Sequence, residues 1–320
     1  MISRDPNVLL AEARNASRVA LARMVTFVES GGPQQRSTAS LAYQSPPPYV
    51  VGITGPPGAG KSTLTDRVIT TALTAGALGD LTFEQIAVLC IDPSSPFTGG
   101  AILGDRIRMQ DHATDEHVFI RSMATRGNLG GLSLAVPDAL RVLGAAGFPL
   151  ALVETVGVGQ MEVDIASAAD TTVVVTNPGW GDSMQANKAG LLEVADIFII
   201  NKADRAGVRE TRRDLEQMLD LGADRAWRPL ILETVAADGR GTEEMWKAIA
   251  EHREFQIRTG ELERRRRART GKELSRVLGI EVSRRVKNLS EGKLYDDAID
   301  QLVRGVTDPY SAAETLLAQT

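Results

Sequence analysis

Gly55-Pro56-Pro57-Gly58-Ala59-Gly60-Lys61-Ser62 matches the phosphate-binding pattern G-x-x-x-x-G-K-[ST] without a mismatch. Such a loop turns backbone N–H groups inward onto an anion, and the helix that follows adds partial positive charge. Gly55, Gly58 and Gly60 let the backbone approach phosphate oxygens closely. Pro56, Pro57, Ala59 and Thr63 complete the cradle. Lys61 is placed to reach the β- and γ-phosphates and the Ser62 hydroxyl to ligate Mg2+. The expected ligand is a nucleoside triphosphate; the loop alone does not say which one.

Asn201-Lys202-Ala203-Asp204 narrows the choice, because it fits N-K-x-D. A carboxylate at Asp204 can accept from both the N1–H and the N2 amine of guanine. Adenine would leave that carboxylate unpaired, a costly state for a buried charge. The Asn201 amide can serve the Hoogsteen side of the base, and the Lys202 stem can cover a ring face. A further contact is expected after the next strand, at Val235-Ala236-Ala237, where a backbone N–H would face the base O6. Only Ala236 fits the usual Ser-Ala pair there. An ordinary strand-to-helix turn explains the segment as well.

Metal-side carboxylates belong at strand ends near Ser62, and Mg2+ takes few protein ligands. Glu154 closes the apolar run Leu150-Ala151-Leu152-Val153, and Glu154-Thr155-Val156-Gly157 reads as a D-x-x-G element with Glu for Asp. The Gly157 N–H is then the γ-phosphate contact. Asp92, before Pro93, and Asp105, after a Gly-rich segment, are the other metal candidates. Against these roles, Asp92 could simply start a turn and Asp105 cap a helix. Asn177-Pro178-Gly179-Trp180-Gly181-Asp182-Ser183 is a Gly-rich loop leading to Lys188. Asp182 and Lys188 could order the attacking water or offset γ-phosphate charge, or belong to a plain loop and a solvated helix face. No water-positioning glutamine is evident, since Gln160 is not diagnostic, so intrinsic hydrolysis is expected to be slow.

These residues need a scaffold of parallel strands. Apolar, β-branched segments fall at 50–54, 85–91, 118–123, 150–154, 171–176, 196–200 and 229–234, with helical spacing in most gaps. Val173-Val174-Val175 and Ile197-Phe198-Ile199-Ile200 are apolar on both faces, as in strands covered by helices on each side. The expectation is an α/β P-loop NTPase fold, a mainly parallel doubly wound sheet, over residues 49–255. Residues 1–48 read as a helical extension, capped by Asp5 with Pro6 in the first turn and running to about Ser30, followed by a Pro-rich linker or extended arm at 33–48. Residues 256–320 are charged and helical in propensity, hence a helical arm. Its basic run Arg264-Arg265-Arg266-Arg267-Ala268-Arg269 has flanking glutamates and no interleaved aromatics, so it reads as a salt-bridged helix face.

Composition limits the alternatives. The 320 residues carry a net charge of −5, with 43% hydrophobic and 24% charged residues. Nothing there pulls the chain toward nucleic acid or an anionic membrane. The single cysteine, Cys90, excludes an intrachain disulfide framework and a cysteine-based zinc site. His112, His117 and His252 lack metal-ligand spacing. No apolar run is long enough to span a bilayer and no signal peptide is visible, so a reduced, cytoplasmic protein is expected.

Together these motifs resemble the methylmalonyl-CoA mutase-associated GTPases of the MeaB/ArgK type. The resemblance covers nearly the whole chain and is carried most specifically by Asp92-Pro93-Ser94-Ser95, Gly104-Asp105-Arg106-Ile107-Arg108-Met109, Arg126-Gly127-Asn128-Leu129-Gly130-Gly131-Leu132 and Glu154-Thr155-Val156-Gly157-Val158-Gly159-Gln160. It implies GTP/GDP and Mg2+ as ligands and slow hydrolysis stimulated by a partner. It also implies a homodimer through the helical arm and a chaperone role toward a cobalamin-dependent acyl-CoA mutase: gating cofactor delivery and protecting the enzyme from inactivation. In that setting residues 177–188 would be a nucleotide-sensing loop. Two other readings stand beside it. A nickel-insertion metallochaperone would want Cys/His clusters, and a P-loop kinase or ATPase would not need Asn201–Asp204.

Overall fold

The computed structural model describes residues 3–30, 32–92, 109–124, 135–155, 165–179, 185–222 and 225–318, with backbone alone at 110, 185–189 and 288. Two compact units divide the chain, Met1–Glu263 and Arg264–Thr320.

The first unit is built on a seven-stranded sheet in the order β5-β4-β6-β1-β7-β8-β9. The strands are β1 (Tyr49–Thr54), β4 (Ile86–Asp92), β5 (Val118–Ala124), β6 (Leu150–Thr155), β7 (Thr171–Thr176), β8 (Ile197–Asn201) and β9 (Leu230–Thr234). Every pairing in it is parallel. All seven expected strands are therefore present, each within a residue or so of its expected ends. A short antiparallel pair, β2 (Ala77–Leu78) and β3 (Leu81–Thr82), lies outside this sheet.

Strand residues alternate between two cores, the reason the runs look apolar on both faces. Val50, Leu89, Ile91 and Val153 enter one core with helices α1 (Pro6–Arg14), α2 (Arg18–Ser30), α3 (Pro33–Ala42) and α5 (Val136–Ala145). Val51, Ile53, Val88, Cys90 and Leu152 enter the other, against α4 (Lys61–Ala75) and α8 (Thr242–Arg258). At the far end Val174, Phe198 and Ile200 pack with Leu191 of α6 (Gln185–Val194) and Leu215 of α7 (Val208–Asp220). Burying each such branched or aromatic side chain contributes about 1.5–3 kcal/mol, so the sheet with its two helical layers is the rigid body that carries the loops.

The N-terminal region differs from expectation in two places. The single helix to Ser30 is broken at Asn15–Ser17, where Ala16 takes φ 64°. The Asp5 cap does form, Oδ1 accepting from Asn7 N–H at 2.9 Å. The expected linker is largely helix α3, started by Gly32 with Pro33 in its first turn. Its Thr38 and Ala42 are buried, so tertiary packing supplies what its weak apolar pattern did not. Only 43–48 connects to β1. Gly144 of α5 lies so close to Pro46 and Pro48 that a Cβ would collide with the Pro46 carbonyl.

The second unit is helical: most of α9 (Glu261–Leu289), then α10 (Lys293–Val303) and α11 (Pro309–Leu317). Asp308 caps α11 through the N–H groups of Tyr310 and Ser311. Within this unit Leu274, Leu278 and Val282, one helical turn apart, are exposed, as are Leu294, Val303 and Tyr310.

Candidate functional site

The carboxyl ends of β1, β4, β6 and β8 carry the residues singled out above, and in parallel α/β sheets ligands bind there. Residues 55–60 join β1 to α4, with Gly60 in the left-handed region at φ 91°. A side chain at Gly60 would strike the Asn201 amide, and one at Gly55 (φ 138°) would strike the Val175 carbonyl. Lys61 and Ser62 open α4, both buried. The Lys61 ammonium donates to the carbonyls of Gly55 (2.7 Å) and Pro56 (2.9 Å), which holds its charge inside the loop.

Glu154 is paired in register with Ile53 on one side and Cys90 on the other, between the phosphate-loop strand and the Asp92 strand. Its Oε1 accepts from Ser62 Oγ at 2.5 Å. Glu154 and Asp92 are each 3% exposed. The next residue, Thr155, donates its hydroxyl to Thr54 at 2.9 Å, tying the ends of β6 and β1 together. A hydroxyl and two carboxylates are the hard oxygen donors that Mg2+ prefers, and they sit on strand ends or a helix start that packing holds in place.

Asn201 is buried and its amide is a structural tie. Nδ2 donates to the Ala59 carbonyl at 2.8 Å; Oδ1 accepts from Thr234 Oγ1 (3.1 Å) and Ala236 N–H (3.0 Å). Asn201 makes three hydrogen bonds within the protein, one through an Nδ2 proton and two through Oδ1. The Ala236 N–H is turned onto Asn201 Oδ1, in the segment for which a base contact and an ordinary strand-to-helix turn were both open readings. The reason is burial: polar atoms closed off from water need partners. Thr234, in register with Asn201 on β9, was not foreseen; a threonine closing the strand just before Val235-Ala236-Ala237 was its sequence signal. Val235 and Ala236 are buried and Ala237 is exposed.

Lys202, at φ 58°, sends Nζ to the Gly58 carbonyl (2.6 Å), and its stem passes beside Gly60. Asp204 follows on an exposed turn. The structure thus brings the phosphate loop, Asn201, Lys202 and the Val235–Ala237 turn to one place. Asp105, Gly157 and Asp182 lie outside the described residues. Lys188 falls in α6, and its side chain is not described. Elsewhere on α4, burial pushes the Asp66 carboxyl above its ordinary range, against the pull of His112. Among the described residues no cluster of three His, Cys, Asp or Glu could hold a metal, and no helix is long and apolar enough to cross a membrane.

A glycine loop cradled between a parallel strand and a helix, with a buried acid on its serine and an N-K-x-D turn beside it, defines a P-loop nucleotide-binding protein. Comparison with known proteins narrows the class. The family model described as Methylmalonyl Co-A mutase-associated GTPase MeaB matches residues 21–291, and the chain belongs to that family. It is 47% identical over 316 residues to a putative GTPase of Pyrococcus abyssi, covering 97% of this chain and 95% of the relative. Against GTPase ArgK of Escherichia coli the identity is 36% over 263 residues, covering 78% and 76%. A solved structure titled LAO/AO transport system kinase superposes with a TM-score of 0.70 at 25% identity, covering 100% of both chains.

Proposed function

We propose that the chain is a Mg2+-dependent, slowly hydrolysing GTP switch that attends a cobalamin-dependent acyl-CoA mutase, methylmalonyl-CoA mutase by preference. The observation that carries the nucleotide half is the 2.5 Å contact of Ser62 with Glu154 beneath a loop that already fixes the Lys61 charge. Residues 55–63 bind the phosphates and Asp204 reads the guanine edge. Lys202 covers the base, and Asn201 holds the base-reading turn against the phosphate loop. Ser62, Glu154 and Asp92 would hold Mg2+, with Asp105 joining them; the ion, when bound, offsets charge on the triphosphate oxygens. Glu154 keeps the Ser62 hydroxyl oriented. Gly157 contacts the γ-phosphate, and Asp182 and Lys188, the latter on α6, act on the attacking water from the nucleotide-sensing segment 177–188.

The partner half is supported by the family's own description, which names the mutase. The exposed apolar positions Leu274, Leu278 and Val282 support a homodimer through the helical arm, since a lone helix gains nothing from an apolar stripe in water. The protein would work in the cytoplasm as a chaperone that gates cofactor delivery and protects the mutase. The test is GTP turnover by the purified chain with and without a cobalamin-dependent acyl-CoA mutase. Stimulation together with co-elution is expected. Unchanged turnover and separate elution with every such mutase tried would overturn the partner assignment while leaving the GTPase assignment intact.

A further inference from the structure

At the amino ends of β1, β7 and β8, away from the phosphate loop, lies a buried polar chain that the nucleotide site does not use. Its members are Tyr49 and Thr171, which open β1 and β7, Asp196, which precedes β8, and His252 and Gln256 on α8. His252 and Gln256 are both 0% exposed. The Tyr49 hydroxyl bonds Thr171 Oγ1 (2.6 Å) and donates to Gln256 Oε1 (2.9 Å). Gln256 Nε2 donates to the Asp170 carbonyl at 2.7 Å. Thr171 Oγ1 also bonds His252 Nδ1 at 2.8 Å, and His252 Nε2 faces Asp196 Oδ1 at 3.3 Å.

The directions of these bonds can be worked out in order. The Asp170 carbonyl can only accept, so Gln256 points its NH2 there and its oxygen at Tyr49. The Tyr49 proton therefore goes to Gln256, and Tyr49 must accept from Thr171. Thr171 has then used its one proton and must accept from His252, so Nδ1 carries a proton. The other nitrogen faces a carboxylate, and an unprotonated Nε2 would set a lone pair against negative charge. Burial and neighbouring Asp170 and Asp196 hold the Tyr49 phenol protonated well above its ordinary range, which keeps the relay in this sense.

We infer that His252 is a buried imidazolium paired with Asp196, and that this pair makes the seating of α8 on the sheet sensitive to pH. The charged and titratable groups around it are consistent. Asp196 takes Thr172 N–H on Oδ2 (2.8 Å) and Asp170 takes Val50 N–H on Oδ2 (3.0 Å), so both carboxylates are fixed in place. Arg253 sits 5.5 Å over the Tyr49 ring and pairs with Asp80. The Trp227 ring lies 4.8 Å from the imidazole centroid and Phe255 stacks at 6.4 Å, so two aromatic rings pack against the fully buried imidazole. Trp227 also donates its indole N–H to the Asp196 carbonyl at 2.9 Å, closing the cluster around the pair. A histidine whose folded midpoint is raised adds stability that is complete below its unfolded midpoint and is lost as pH rises through the folded one. Loss of the Nε2 proton would leave a lone pair against Asp196 and loosen α8.

The test is nitrogen-15 NMR titration of the imidazoles in the full chain. His112→Gln and His117→Gln assign the other two histidines, leaving His252 by elimination without altering the cluster. The expected result is a doubly protonated ring whose midpoint lies above the ordinary ~6.5. Thr171→Val, which removes the Nδ1 acceptor with little change of shape, should lower that midpoint. Hydrogen exchange in α8, corrected for intrinsic rate, should rise relative to α7 above the midpoint. A neutral ring at pH ~6 overturns the ion pair, and a midpoint unmoved by Thr171→Val overturns the proton assignment made through Nδ1. α8 protection that does not change across the midpoint overturns the pH-sensitive seating.

Discussion

Ser62 Oγ donates to Glu154 Oε1 at 2.5 Å, joining the first turn of α4 to the end of β6. An aspartate at the same strand end would be one methylene shorter, so the glutamate is what lets the carboxylate reach the hydroxyl directly. This contact places the serine and the acid where one hard cation can meet both.

Glu154→Gln keeps the side chain's shape and loses its charge. GTP turnover should fall by roughly 10²-fold, the scale seen when one charge-stabilising group is removed from an active site. The Mg2+ concentration needed for half-maximal turnover should rise. Single-turnover rates across a Mg2+ series measure both, and wild-type rates with an unshifted Mg2+ curve would remove Glu154 from the metal site.

Asp204→Asn should move preference from GTP toward xanthosine triphosphate. The carboxylate matches the two donors of guanine, whereas an amide pairs with the altered edge of xanthine. A site built on such hydrogen bonds rejects the wrong partner by about 10⁴-fold or more. Competition binding with fluorescent nucleotides reads the switch; a parent protein that binds ATP and GTP equally would contradict the guanine reading.

Asn201→Ala takes partners from the Ala59 carbonyl, the Thr234 hydroxyl and the Ala236 N–H at once. Each buried group left unsatisfied costs about 1–3 kcal/mol. The variant should lose at least ~2 kcal/mol in urea unfolding and weaken GTP binding in calorimetry, because loop and base-reading turn are no longer fastened. Full stability with weakened binding would mean that Asn201 serves the base alone.

Tyr49 provides a pH prediction. Its phenol is raised in the folded state, so the fold prefers the protonated form. Its contribution is complete below the unfolded midpoint of ~10 and is lost as pH rises through that value toward the folded midpoint. Wild-type urea midpoints should drop steeply above pH ~10. Tyr49→Phe, which lacks the ionising group, should start lower by about 1 kcal/mol for the lost hydrogen bonds and follow a flatter curve. Tyrosinate absorbance appearing before unfolding in the wild type, at the position Tyr49→Phe abolishes, would contradict it.

The fold was readable wherever one physical signal dominated. The β-branched runs at Val173–Val175 and Ile197–Ile200 demanded helices on both faces of a parallel sheet, and the strand–glycine–helix order around Lys61 demanded a phosphate loop. Asp5 with Pro6 marked a helix start that the structure keeps. Helix α3 was hidden because Gln34, Gln35 and Ser37 carry little apolar pattern; its helicity comes from Thr38 and Ala42 packing into a core formed by residues distant in sequence. The break at Ala16 was hidden for the converse reason. A local signal was present all the same: Asn15 caps the end of α1 and the Ser17 hydroxyl accepts from Ala20 N–H at 3.3 Å at the start of α2, but the apolar pattern runs on through both helices because they bury into one core.

Residue types and short spacings determined which chemistry to expect of this chain, because a phosphate loop, an N-K-x-D turn and a strand-end acid are each local patterns with fixed stereochemistry. What each polar atom faces was decided only in three dimensions. Asn201 could be assigned to a base from its motif, yet its amide fastens Ala59 to Thr234 and Ala236. His252 looked like a scattered histidine until α8 closed it between Thr171 and Asp196. Both outcomes have the same cause: a buried polar group takes whichever partner the packing brings to it, and that partner lies 33 to 142 residues away for Asn201 and 81 for His252 with Thr171, beyond the reach of any local pattern.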